Sequence, residues 1–467
     1  VVPGAIVKLT PTPSTGYTFS HWQGLPSGAT VVASVASFTM PVEDVSGITA
    51  VFVENPFLSL GARPEFYGLI RPSAPSGIAP TASPAKRKLG IPKGGTHLGS
   101  NATRGSFTSL LTSSGSFSGK VQLNGQATSF RGVILGNGSV WFTAPDKSLQ
   151  TALALPGSAQ MTAALTSGVL SVELSTTSGI LEGSAHPAAY SKIAPVPAAL
   201  LNSATQGLYP AALPAKTQME AKPLDEYPQG TGYSRITLLA DGRVTFAGEL
   251  ADGTSYTASS ALVAGNVSPV HALLPTPGTT TKQLGGSLLG TLVFDTSEAD
   301  SDVTATDLIW FRPAVTEQSG TTAGALATQL YTSGWPTGIT VDLLGAKYNK
   351  AATAEVTLGF APGGPGLLTF REGKLAAPVE VNDFTLAGNK VTKIPVTNRS
   401  FTLSFVASSG IMRGTFTPGW TSAKLPAFTG IMLSKGANRG AWGHFLSNET
   451  GDTDPESGDV TLQSERR

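Results

Sequence analysis

The chain has 467 residues, 54 of them Gly and 33 Pro, and only 13% are charged; length alone gives it room for several domains, and this composition favours many short strands joined by turns over long amphipathic helices. Its 31 basic and 30 acidic residues cancel to a net charge of +1, which leaves no electrostatic footprint for nucleic acid. Cysteine is absent, so disulfides, thiolate zinc sites and thiol nucleophiles are excluded.

No stretch approaches the roughly 20 apolar residues that a membrane-spanning helix needs, so no membrane insertion is expected. The chain opens at Val1 with no signal peptide, as a processed or mature fragment of a larger polypeptide would. Five Asn-x-Ser/Thr triplets, at Asn101, Asn137, Asn266, Asn398 and Asn448, carry little weight alone.

In chain order, the first 52 residues alternate apolar and polar positions at Ile6 to Leu9, Tyr17 to Phe19, Phe38 to Met40 and Ile48 to Phe52. The ordered motifs Gly4-Ala5-x-Val7-x-Leu9-Thr10, Gly16-Tyr17-Thr18-Phe19-x-x-Trp22, Phe38-Thr39-Met40-Pro41 and Thr49-Ala50-x-Phe52 resemble the internalin-type B-repeat, a small β-grasp-like module of bacterial surface proteins. The resemblance implies an aromatic core of Tyr17, Phe19 and Trp22. It also implies a strand before Gly4 that is missing here, leaving an open edge for strand addition by another chain.

From about Leu60 a Gly-x-x-x-Gly unit recurs, as Gly115 to Gly119, Gly179 to Gly183, Gly286 to Gly290 and Gly410 to Gly414. The first Gly suits a hairpin turn at positive φ and the second a tight bend within the following strand. Ser106-Phe107-Thr108 before Ser114-Gly115 matches Ser400-Phe401-Thr402 before Ser409-Gly410, and Ile236 to Leu250 repeats the order around an Asp241-Gly242 turn. Later segments, Leu250-Ala251-Asp252-Gly253-Thr254 and Ile309-Trp310-Phe311-Arg312-Pro313 among them, resemble an uncharacterised barrel-type region of very large bacterial surface proteins.

The expected fold is therefore all-β, with a small β-grasp-like module at residues 1–56 and antiparallel barrel or sandwich modules at 57–205 and 206–467. Residues 71–104 and 186–228 hold five and seven prolines and read as a long loop and an extended linker. The polar stretch from Asn448 to Arg467 reads as a frayed tail.

Candidate chemistry is sparse. The five histidines, His21, His97, His186, His271 and His444, show no metal-ligand spacing and read as surface or turn residues. Neither a Gly-x-Ser-x-Gly elbow nor a phosphate loop is evident, so no catalytic residue or cofactor is assigned. The Lys86-Arg87-Lys88 run reads as solvated. Two acidic clusters, Asp295, Glu298, Asp300, Asp302 and Asp307, then Glu449, Asp452, Asp454, Glu456 and Asp459, contain the best calcium candidates, Asp300, Asp302, Asp452 and Asp454, without the twelve-residue calcium-loop pattern.

These features point to a non-enzymatic extracellular or cell-surface structural or adhesive protein. Its partners would be other chains or copies of itself, in a larger polypeptide or filament. The alternative is a carbohydrate-binding module that stacks sugars on Trp141, Trp310, Trp335, Trp420 or Trp442.

Overall fold

The computed structural model describes residues 2–43, 45–61, 64–72, 104–123, 126–177, 179–214, 226–275, 284–314, 330–422, 424–452 and 454–465. The Lys86-Arg87-Lys88 run, His97, Asn101 and most of the expected loop at 71–104 lie outside them. The chain is all-β, with 55% strand and almost no helix. It divides into two compact units, one taking in the described residues up to Ala188 and the other those from Ala189 onward.

The first unit opens with the N-terminal β module. Val35–Thr39 pairs with Ile6–Leu9 on one side and Thr30–Val32 on the other, while Tyr17–Gln23 pairs with Thr49–Glu54 across a bulge after Phe19. Phe19, Ala36 and Phe38 are buried, and the Phe19 ring lies 5.5 Å from Trp22 and 6.1 Å from Phe52. Tyr17, expected in this core, is 49% exposed. Alternation puts Tyr17 on the same face as Phe19, since the bulge lies only after Phe19, but Tyr17 is the first residue of its strand, opposite Glu54 at the end of the partner, where little covers it.

A ten-stranded sheet completes this unit. The eight strands of its main run are, in spatial order, Val140–Thr143, Gln126–Ile134, Ser116–Leu123, Gly105–Leu111, Glu65–Pro72, Gly179–Pro187, Val169–Thr176 and Ala159–Thr166. It curls until Ser139 bridges Ala164, and inward Phe107, Phe117, Phe130 and Phe142 pack ring to ring. The N-terminal module is tied to this sheet where the Gly136 N–H donates to the Phe19 carbonyl at 2.8 Å and Asn55 Nδ2 to the Ser113 carbonyl at 2.8 Å.

The second unit holds two nearly closed, barrel-like sheets of nine strands each. The first barrel runs Ser255–Ala261, Arg243–Glu249, Thr231–Leu239, Gln206–Pro214, Leu344–Gly345, Val303–Arg312, Leu284–Phe294 and Val267–Pro275, with Trp335–Thr340 also on Val303–Arg312. The second runs Lys390–Lys393, Phe384–Ala387, Gly364–Glu372, Ser457–Ser464, Gly440–Leu446, Ala427–Leu433, Ile411–Phe416 and Phe401–Val406, with Val379–Val381 also on Gly364–Glu372. Its core centres on Phe370, stacked on Phe416 at 3.8 Å and flanked by Phe428 and Phe445.

Two expectations are corrected here. The proline-rich stretch at 186–228 is no simple linker, because Gln206–Pro214 is a buried strand of the first barrel. Its prolines are tolerated because the neighbour on one side, Leu344–Gly345, pairs only with Ala211 and Ala212, and Pro210 contributes just its carbonyl, to Ala346 N–H. The tail is not frayed either, since Ser457–Ser464 lies between Gly364–Glu372 and Gly440–Leu446 and buries Val460 and Leu462 completely.

Candidate functional site

The residues capable of chemistry converge on the seam between the two barrels of the second unit. Strand alternation builds its apolar centre. Ala211 and Leu213 point into the first barrel and Met432 into the second, so Ala212, Ile431 and Leu433 point outward and pack on one another, with Tyr233, Ile411 and Trp442 around them.

Polar groups rim this patch. His444 on the second barrel places Nδ1 3.2 Å from the Thr231 carbonyl and Nε2 3.1 Å from Glu249 Oε1 of the first. Thr231 Oγ1 donates to Asp459 Oδ1 at 2.9 Å. Ser457 Oγ accepts from the N–H groups of Gln229 and Gly230, while Ser457 N–H donates to the Tyr331 hydroxyl at 2.8 Å. Burial pushes the Tyr331 hydroxyl well above the ordinary tyrosine range, so it stays protonated and remains a donor.

Behind Tyr331 lies a buried ion pair. Arg312 Nη1 meets Asp252 Oδ2 at 2.9 Å, with side chains 5% and 2% exposed, and the guanidinium stands 5.3 Å over Trp335 and 5.9 Å over Tyr331. Both residues lie in segments singled out in the sequence. That they meet was not legible, because Asp252 sits in the turn between Arg243–Glu249 and Ser255–Ala261, 60 residues before Arg312.

Two of the four calcium candidates, Asp302 and Asp452, each meet a lysine. Lys435 Nζ donates to Asp302 Oδ1 at 2.6 Å and to the carbonyls of Thr296 and Ser301, so an ammonium from the second barrel sits among the oxygens of the first barrel's acidic turn. Asp302 Oδ2 accepts Lys347 N–H, and Asp300 Oδ1 accepts Ala437 N–H at 2.8 Å. In the second cluster Lys374 Nζ meets Asp452 Oδ1 at 2.8 Å, and the Asp454 N–H also donates to Asp452. Asp295 closes its own turn by accepting from Ser297. Among the described residues no three His, Asp or Glu side chains gather as metal ligands.

The remaining candidates fall apart. His271 and His444 lie within strands rather than on turns, and burial pulls the His271 imidazole down to about 4. Trp310 and Trp335 are buried and stacked edge to face at 4.6 Å, while Trp141, Trp420 and Trp442 are half-buried. A cavity of about 330 Å³ opens beside the seam, lined by Glu249, Phe428, Thr429, His444, Phe445 and Asn448, but its carboxylate and imidazole are spent on each other. The arrangement joins the two barrels through an apolar centre rimmed by hydrogen bonds.

No curated protein matches the chain. A solved structure, the crystal structure of the isotype 1 transferrin binding protein B from serogroup B Neisseria meningitidis, aligns over 99% of this chain and 89% of that one at 8% identity. Its TM-score is 0.18, too low to carry any argument. Residues 1–56 match the model of the divergent InlB B-repeat domain, a family of surface repeats, and barrel-like sheets that the comparisons leave uncharacterised follow it.

Proposed function

We propose that the chain is a non-enzymatic, extracellular structural protein of the bacterial cell surface whose N-terminal module joins other chains by strand addition and whose barrels serve as a stiff spacer. The observation that carries this reading is the edge strand Thr30–Val32. It pairs on one side only, bears no charge, and leaves Val31 and Val32 39% and 44% exposed. Natural edges are blunted by short length, a lysine, a proline or a bulge; the three-residue Thr30–Val32 has only the first, whereas the opposite edge strand, Ile6–Leu9, carries Lys8. An unguarded apolar edge is the surface that another extended segment completes through backbone hydrogen bonds.

The barrels support the spacer role, because their lysines, carboxylates and buried histidine serve to hold one sheet to the next. Sedimentation velocity over a wide concentration range tests the proposal. The intact chain is expected to self-associate, and Val31→Lys, which places a charge on the edge without touching the core, is expected to return it to monomer. A chain that stays monomeric throughout, or association unaffected by Val31→Lys, defeats the strand-addition reading. Antibodies against the chain are expected to label intact source cells, and labelling only after lysis overturns the surface assignment.

A further inference from the structure

The second barrel does not close by hydrogen bonds between strands. Its sheet begins at Lys390–Lys393 and ends at Phe401–Val406, and among the described residues neither strand has a second neighbour. Lys393 Nζ donates to the main-chain carbonyl of Asn398 at 3.0 Å and to that of Phe401, and it stands 4.7 Å over the Phe401 ring. That lysine plugs one end of the gap and leaves the rest open.

Phe401–Val406 is six residues long and holds no charge, proline or glycine. Just before it, the Ser400 carbonyl accepts the Thr417 N–H at 2.7 Å, and Thr402 and Ser404 continue that register opposite Thr415 and Arg413. Antiparallel alternation then turns the N–H and carbonyl groups of Leu403 and Phe405 toward the gap, where no strand of the sheet meets them. Both side chains are half-buried against the barrel core. The strand across the gap, Lys390–Lys393, is guarded by a lysine at each end.

The N-terminal module divides its edges in the same way, with Lys8 on Ile6–Leu9 and no charge on Thr30–Val32. The two-residue turn Ala33-Ser34 closes Val32 on Val35, so Thr30 and Val32 bond to Val35–Thr39 and Val31 turns its own N–H and carbonyl to the open side.

We infer that these two uncharged edges pair with each other between copies, the Thr30–Val32 edge of one chain adding antiparallel to the Phe401–Val406 edge of the next. The inference rests on the strand-addition reading above and names the partner as a second copy of this chain. Val31 exchanges both of its free backbone bonds with Leu403 or Phe405, on the face where those two side chains lie. Aromatic and β-branched side chains brought together across antiparallel strands are a stabilising combination, and no charge is buried. The two edges are different surfaces, so every joined copy still offers one of them, and the contact runs head to tail without closing on a dimer.

Sedimentation velocity on full-length variants, alone and mixed, tests this. Val31→Lys blocks the first edge. Leu403→Pro blocks the second, because proline removes an N–H that makes no ladder bond and its ring obstructs the edge. Ser404→Lys puts a charge on the same edge from an exposed position and leaves the core untouched. Wild type is expected to grow beyond a dimer as concentration rises, and each variant alone to stay monomeric. An equimolar mixture of Val31→Lys with Leu403→Pro, or with Ser404→Lys, holds one intact edge of each kind and is expected to form a dimer and nothing larger. Leu403→Pro and Ser404→Lys chains that self-associate like wild type overturn the inference and leave strand addition at Thr30–Val32 standing with another partner. Mixtures that stay monomeric while wild type associates sink it as well. A wild type that is monomeric throughout removes both readings together.

Discussion

At the residue scale, the charged groups of this chain do the work of fasteners. Asp452 shows how. Burial alone would raise its carboxyl, but the hydrogen bonds from Lys374 and the Asp454 N–H, together with the lysine's charge, outweigh burial and hold it below the usual carboxylate range. Lys374 is correspondingly raised above the ordinary lysine value, its contact with Asp452 prevailing over burial. A carboxyl depressed on folding contributes stability that is complete above its unfolded value, about 3.9, and is lost as pH falls through the folded value. The lysine's contribution is present below its unfolded value and fades only in strong alkali. Asp452→Asn should therefore cost up to about 1 kcal/mol at neutral pH, the scale of a partly exposed pair. In urea titrations at successive pH values, the gap between variant and wild type should close below about pH 3.9. A gap that stays constant into acid would show that the latch is not electrostatic.

At the scale of strands and turns, glycine carries much of the information. Gly115, Gly179 and Gly410 adopt φ values of 83°, 128° and 76°, as expected for the first Gly of the repeated unit, and Gly242 turns the third hairpin at 88°, whereas Gly286 has no positive φ and lies within the strand Leu284–Phe294, so the Gly286 to Gly290 unit is not a turn. The second glycines serve a different need. A Cβ on Gly414 would stand 1.9 Å from the Thr402 carbonyl oxygen and 2.6 Å from the Phe428 ring, so neighbouring strand and aromatic close directly on its backbone. Gly414→Ala should lower stability by about 1–3 kcal/mol as an overpacked site. Gly419→Ala, where a Cβ meets nothing within 4 Å, should stay within about 0.5 kcal/mol of wild type. Equal melting temperatures for the two variants would refute the close-approach account. Such turns made the hairpins legible in the sequence, and alternating Ile, Val and Phe made the strands so. Ser457–Ser464 was not, because its serines and Asp459 look like a solvated tail until the strands on both sides are known. Gln206–Pro214 was hidden by prolines that only a two-residue neighbour can tolerate. The latches left no local signal at all, since Lys435 and Asp302 are 133 residues apart and Lys374 and Asp452 are 78 apart.

At the scale of the whole second unit, the seam decides whether two barrels behave as one body. Most inter-domain interfaces are polar and permit relative motion. This one instead has an apolar centre, with Ile431 fully buried between the barrels, and a rim in which Thr231, His444, Ser457 and Lys435 all bond across it. Burying a large aliphatic side chain contributes about 1.5–3 kcal/mol, and each rim hydrogen bond about 1 kcal/mol more. Together these terms rival the stability of a single domain, so neither barrel should open alone. Under mild denaturant, hydrogen exchange monitored by mass spectrometry should show peptides from Thr231–Leu239 and Ala427–Leu433 becoming exposed in the same event. Ile431→Ser with Leu433→Ser removes only outward-facing side chains and leaves Met432 and the barrel interior intact. In that double variant the two barrels should exchange in separate events, with the intrinsic fold of each preserved. Separate events already in the wild type would mean that the seam is a contact rather than a weld, and the stiff-spacer role would fall with it.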